Sequence, residues 1–218
     1  MKRKIPCLCE NTFTVEAPEE IDLDAECRYL DEILSGAFMN FTCTSCGKKH
    51  KPEFPITVLW PSRDLRFEVL PELERMSFYH EKKERDRNVK TETLIGYPEL
   101  ADRLQVIRDG LEPAAVEALK YYLLLKAEET YPDEDITIWY HSGPQENAGT
   151  LEFHLQGLKE NSVAVTRVPF TVYEKTLADY QKHPRGELFS SLRFRTYLSV
   201  QNMMSAKGVS LDIQENAK

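Results

Sequence analysis

The chain has 218 residues, 41% hydrophobic and 10% aromatic, a length and content for one large or two small globular domains rather than a disordered chain. Its net charge of −8 is shared: residues 1–75 carry 10 basic and 14 acidic side chains, a net of −4, which leaves −4 for the rest. With no basic stripe to displace phosphate counterions, nucleic-acid binding is disfavoured; with no 18-residue apolar stretch and no apolar run after Met1-Lys2-Arg3-Lys4, a soluble cytoplasmic protein without a membrane span is expected.

The first predicted element is a short alternating strand, Thr12-Phe13-Thr14-Val15. An acidic stretch from Glu16 to Asp24 leads to a predicted helix over 25–34, capped by Asp24, with Cys27, Leu30 and Leu34 on one apolar face and Gly36 as its left-handed exit. On that face Cys27 reads as a buried small hydrophobe rather than a reactive thiol. Ile56-Thr57-Val58-Leu59-Trp60 and Leu65-Arg66-Phe67-Glu68-Val69 read as a hairpin across Pro61-Ser62-Arg63-Asp64, with Leu65, Phe67 and Val69 inward.

Residues 77–93 contain Glu81-Lys82-Lys83-Glu84-Arg85-Asp86-Arg87 with nothing apolar to bury, and read as a charged linker. Two helices follow, 98–109 and 113 to about 129, read as an antiparallel pair. Strands over 136–141, 150–155 and 163–168 form a predicted antiparallel meander. Thr171 and Glu174 form a capping-box start for a helix ending at Pro184, and a final helix is predicted from Glu187 to about Lys207. The expected organisation is α+β throughout. Residues 1–76 form a zinc-ribbon-like β unit with an inserted helix, 77–93 the linker, 94–208 a second domain with the meander and flanking helices, and 209–218 a flexible tail.

Chemistry concentrates in the cysteines. In a reducing compartment Cys7-Leu8-Cys9 and Cys43-Thr44-Ser45-Cys46-Gly47 are expected as ligands of one zinc ion rather than as disulfides. The second pair has the spacing that brings two sulfurs to one metal from a single turn, followed by a glycine that accepts a positive φ. A redox dithiol is disfavoured because Gly47-Lys48-Lys49-His50-Lys51-Pro52 does not continue as a helix. In a regular strand, the first pair would hold its sulfurs too far apart unless the chain bends there.

These residues resemble the bacterial CpXC domain proteins. Ile21-Asp22-Leu23-Asp24, Ile33-Leu34-Ser35-Gly36, Asn40-Phe41-Thr42-Cys43-Thr44-Ser45-Cys46-Gly47 and Ile56-Thr57-Val58-Leu59-Trp60 look like that family's parts, over roughly residues 3–75 and more weakly through the helices near 98–125. The resemblance implies metal binding and a fold, not an activity. This chain departs from the family pattern twice: its first pair is one residue short with the proline before Cys7, and Thr44 replaces the second proline. The shortened pair leaves Cys27 and His50 open as substitute ligands.

Elsewhere, His141 and His154 with Glu152 could form a second polar site on the meander, or decorate a half-solvated sheet face. Arg193, Phe194, Arg195 and Tyr197 read as ordinary helix decoration. There is no phosphate loop, no Gly-x-Ser-x-Gly elbow and no His-Glu-x-x-His. The expectation is a protein with structural zinc acting on another protein as an interaction or accessory module. Two alternatives stay open: an enzyme with its site in the C-terminal domain or between domains, and a zinc-ribbon nucleic-acid binder.

Overall fold

A computed structural model describes residues 1–81 and 91–203, and the chain divides into two compact units, Met1–Ala101 and Asp102–Lys218. The expected tail, 209–218, lies outside the described residues, as does 82–90 of the expected linker.

In the first unit β1 (Lys2–Pro6) and β2 (Thr12–Glu16) form an antiparallel hairpin. Ile5 and Phe13 face each other across it and turn inward. Next come β3 (Glu20–Asp22), α1 (Arg28–Leu34), and the two-residue strands β4 (Phe41–Thr42) and β5 (Lys49–His50), which pair around the second cysteine loop. β6 (Ile56–Trp60) and β7 (Leu65–Leu70) are the expected hairpin. Ile56, Val58 and Trp60 alternate inward on one strand, Phe67 and Val69 on the other, while Leu65 is only half-buried.

α2 (Arg75–His80) and β8 (Thr91–Ile95) complete the unit and occupy both ends of the stretch read as a linker. β8 pairs parallel with β7, and β3 pairs parallel with β6, so the antiparallel hairpin is flanked on each side by a parallel strand. Parallel pairs need long connections, which is why the charged stretch precedes a strand.

The helix near residue 30 is shorter than expected and is not capped by Asp24. Asp22 Oδ1 instead accepts the amides of Asp24 and Ala25 in a turn, while the Asp24 carboxylate accepts Ser62 N–H at 2.6 Å and Ser62 Oγ–H at 2.8 Å. Cys27 therefore stands exposed at the helix start rather than on a buried face.

The division between the units falls within α3 (Tyr97–Arg108), between Ala101 and Asp102. The second unit continues with α4 (Pro113–Thr130), whose first turn is closed by Pro113 and the Glu112 carboxylate. β9 (Thr137–Ser142), β10 (Thr150–Gln156) and β11 (Ala164–Pro169) form the expected meander in the order β11-β10-β9, and α5 (Phe170–Lys182) follows. Ile138, Tyr140, Leu151, Phe153 and Leu155 pack with Val116, Leu119 and Leu124 in one apolar core.

The predicted final helix is replaced by α6 (Glu187–Ser191) and a hairpin of β12 (Arg193–Phe194) and β13 (Tyr197–Leu198). Arg195 at φ 57° makes the turn, and the burial of Tyr197 and Leu198 outweighs the helical periodicity of the segment. Residues 204–207 of that prediction lie outside the described residues.

Candidate metal centre

The shortened first cysteine loop bends as a ligand loop must. Cys7 N–H donates to Asn11 O at 2.9 Å, Glu10 N–H returns to Cys7 O at 3.0 Å, and Glu10 takes the left-handed φ of 66°. In the second loop Cys43 N–H donates to Lys48 O at 2.9 Å, Gly47 N–H returns to Cys43 O at 3.0 Å, and Gly47 sits at φ 72°. The β1–β2 hairpin and the β4–β5 ladder hold the two loops face to face, and Ile5 and Phe13 pack with Cys7 and Cys43 in a small apolar cluster.

This packing gathers all four sulfurs. One ligand atom from each of Cys7, Cys9, Cys43 and Cys46 lies within 4.8 Å of the others, with Cys7 to Cys46 at 3.6 Å and Cys9 to Cys43 at 3.7 Å. A tetrahedron with metal–sulfur bonds near 2.3 Å has edges of about 3.8 Å, whereas a disulfide would bring two sulfurs to about 2.05 Å. The donor set and its spacing therefore fit a tetrahedral metal ion, and all five cysteines are free thiols. Cys7 and Cys43 are buried, Cys9 and Cys46 exposed.

Two neighbours contact the sulfurs. Asn11 Nδ2–H donates to Cys43 Sγ at 3.7 Å, and His50 Nε2 lies 3.2 Å from Cys7 Sγ. The Cys46 amide, helped by the Ser45 amide and Asn11, holds the Cys43 thiol down to about 6 against the cost of burial. At Cys7 the Cys9 amide favours the thiolate, but burial and the crowding of the Cys9, Cys46 and Cys43 thiols push it up to about 12. The amides of the second loop thus favour the thiolate at Cys43, and a metal bound at Cys7 would displace that thiol's proton.

Cys27 is not in this cluster, and His50 stands beside it as a neighbour of Cys7. Sequence reasoning missed Asn11; its position two residues after Cys9, in a loop that must satisfy buried sulfur, was the available signal. On the meander, His141 and His154 stack with centroids 3.9 Å apart and planes 18° from parallel. His154 Nε2 lies 3.0 Å from Glu152 Oε1, and Arg167 Nε donates to Glu152 Oε2 at 2.9 Å. These contacts, first that of His154 and then that of Arg167, hold the Glu152 carboxyl below its usual range.

The model of the CpXC protein family matches residues 5–120, just over half of the chain. The chain is also similar to an uncharacterized protein of Treponema pallidum (strain Nichols), 27% identical over 93% of this chain and 98% of that protein. No solved structure gives a significant match. Among the described residues no helix is long and apolar enough to cross a membrane.

Proposed function

The chain belongs to the CpXC family, and from that premise we propose that Cys7, Cys9, Cys43 and Cys46 hold one structural zinc ion, and that the zinc-ribbon-like scaffold serves as an interaction or accessory module for another protein in a bacterial cytoplasm. One observation carries the zinc reading: four sulfurs from two loops meet at the edge length of a zinc–thiolate tetrahedron. Zinc is favoured over harder cations because thiolates select soft and borderline metals. Four protein ligands leave no open coordination position, so the ion's contribution is to folding rather than to chemistry.

The size of the local core supports the same conclusion. Among the described residues the cluster around the sulfurs has Ile5, Phe13, Cys7 and Cys43 as its buried members, with Val15, Phe41 and Phe54 partly buried against it. So little apolar burial supplies a few kcal/mol at most, and metal binding would provide the remainder. The partner reading rests on Leu8, which is 84% exposed between the two ligands of the first loop, where a bound protein could cover it.

Zinc content of the purified full chain tests the reading. One ion per chain is expected, lost in both Cys43→Ser and Cys46→Ser, with residues 1–75 destabilised and the meander intact. Full zinc stoichiometry retained in both variants overturns it.

A further inference from the structure

We propose that His141, Glu152 and His154 form a second, solvent-facing site for a divalent transition metal of the zinc class on the outer face of the meander. Ligand atoms of the three residues lie within 4.8 Å of one another. Two imidazoles with one carboxylate are the donor set of open zinc sites, in which protein supplies three ligands and solvent the rest.

The strands place these donors. β10 turns Leu151, Phe153 and Leu155 into the core, so Glu152 and His154 stand together on the opposite face. Across the ladder Glu152 pairs with Ser142 and Phe153 with Tyr140, which leaves His141 as the extra residue of a β-bulge on β9. A bulge re-aims a side chain, and this one sets the His141 ring against that of His154.

The separation of two of the donors fits an ion. Two ligand atoms bonded at about 2.1 Å to one metal stand about 3.0 Å apart in octahedral and about 3.4 Å in tetrahedral geometry. His154 Nε2 and Glu152 Oε1 are already 3.0 Å apart, so an ion can take the place of the proton between them. Glu152, 8% exposed, keeps Oε2 on Arg167, its pair on β11, which orients the carboxylate as an outer partner orients a metal ligand. His141 is exposed, so the open side of the site faces solvent.

The experiment is equilibrium dialysis of the full chain against zinc chloride, in a Cys27→Ser background that removes the one thiol outside the four-cysteine cluster. Two ions per chain are expected, the second binding more weakly. His141→Ala and His154→Ala should each weaken the second ion more than about a hundredfold, beyond what loss of an outer partner costs, and leave the first in place. Near-ultraviolet circular dichroism checks that each variant is folded. In the unsubstituted histidine background the imidazole resonances of His141 and His154 should shift on addition of the second equivalent and not of the first. Absence of a second ion at millimolar zinc overturns the proposal, as does a second ion whose affinity is unchanged in both variants or which leaves those resonances unmoved.

Discussion

Glu10 and Gly47 close the two cysteine loops in the same left-handed conformation, φ 66° and φ 72°, each with its amide returned to the carbonyl of the first cysteine of its loop. A loop with one residue between its cysteines and a loop with two thus present their sulfurs alike. Glycine adopts this φ without strain, whereas a residue with a Cβ is disfavoured there by about 1–2 kcal/mol.

The two positions should respond oppositely to substitution. Glu10→Gly relieves the strain but gives the unfolded chain more freedom, for a net gain of about 0.5–1 kcal/mol. Gly47→Ala should cost about 1 kcal/mol; nothing lies within 4 Å of a Cβ placed there, so the cost is conformational and not a clash. Urea unfolding of the zinc-loaded protein in a Trp139→Phe background, in which Trp60 alone reports, reads both. Equal midpoints for the two variants would refute the equivalence of the loops.

The outer partners of the sulfurs should matter to affinity without deciding it. Asn11→Ala removes the amide donor to Cys43, and His50→Ala the ring beside Cys7. Each should weaken zinc binding by about 10- to 100-fold while stoichiometry stays at one, measured by competition with a chromophoric chelator. Loss of the ion altogether in His50→Ala would mean that the imidazole is itself a ligand.

How far the sequence disclosed this depends on whether a feature is local. The hairpin of Ile56–Trp60 with Leu65–Leu70 and the meander from Thr137 to Pro169 were legible because period-two alternation and turn residues lie within a few positions of each other. The cysteine spacing likewise pointed to a metal, since a single turn sets the geometry of Cys43 and Cys46. What was not legible depends on distant partners. Nothing near Asp24 says that Ser62, 38 residues away, will take its carboxylate. Nor does Thr91–Ile95 announce that it will lie parallel to Leu65–Leu70 rather than end a linker. The helix expected from Glu187 to about Lys207 gave no sign that Tyr197 is buried completely in a hairpin.

The buried charges of the second unit should be far more sensitive than surface pairs. Lys120 Nζ donates to Asp102 at 2.5 Å and to Glu117 at 2.8 Å, with all three side chains 6% exposed or less. Asp102 also accepts the Tyr140 amide, and Glu117 accepts the Val200 amide, so the charges tie two helices to a strand and to the chain beyond β13. Lys120→Met preserves volume but strips Asp102 of its cation and leaves Glu117 with Arg103, 3.5 Å away, at a cost of about 3–5 kcal/mol. Unfolding of a Trp60→Phe background, in which Trp139 alone reports, measures it; a loss below about 1 kcal/mol would show that the carboxylates find other partners.

Tyr97 should limit stability at alkaline pH. Its hydroxyl donates to Phe54 O at 3.0 Å and accepts Phe54 N–H at 2.9 Å, and burial, against that amide, pushes its ionisation up to about 12. In the unfolded chain the phenol ionises near 10. The folded state therefore binds the proton more tightly; its contribution is complete below pH 10 and is lost as pH rises through 12. Tyr97→Phe should remove this slope, and should also cost about 1–3 kcal/mol at neutral pH by leaving the Phe54 backbone groups without their partner. Stability measured from pH 8 to 12 in both proteins decides it: the two curves should converge above pH 10, and curves that stay parallel would place the alkaline loss on another group.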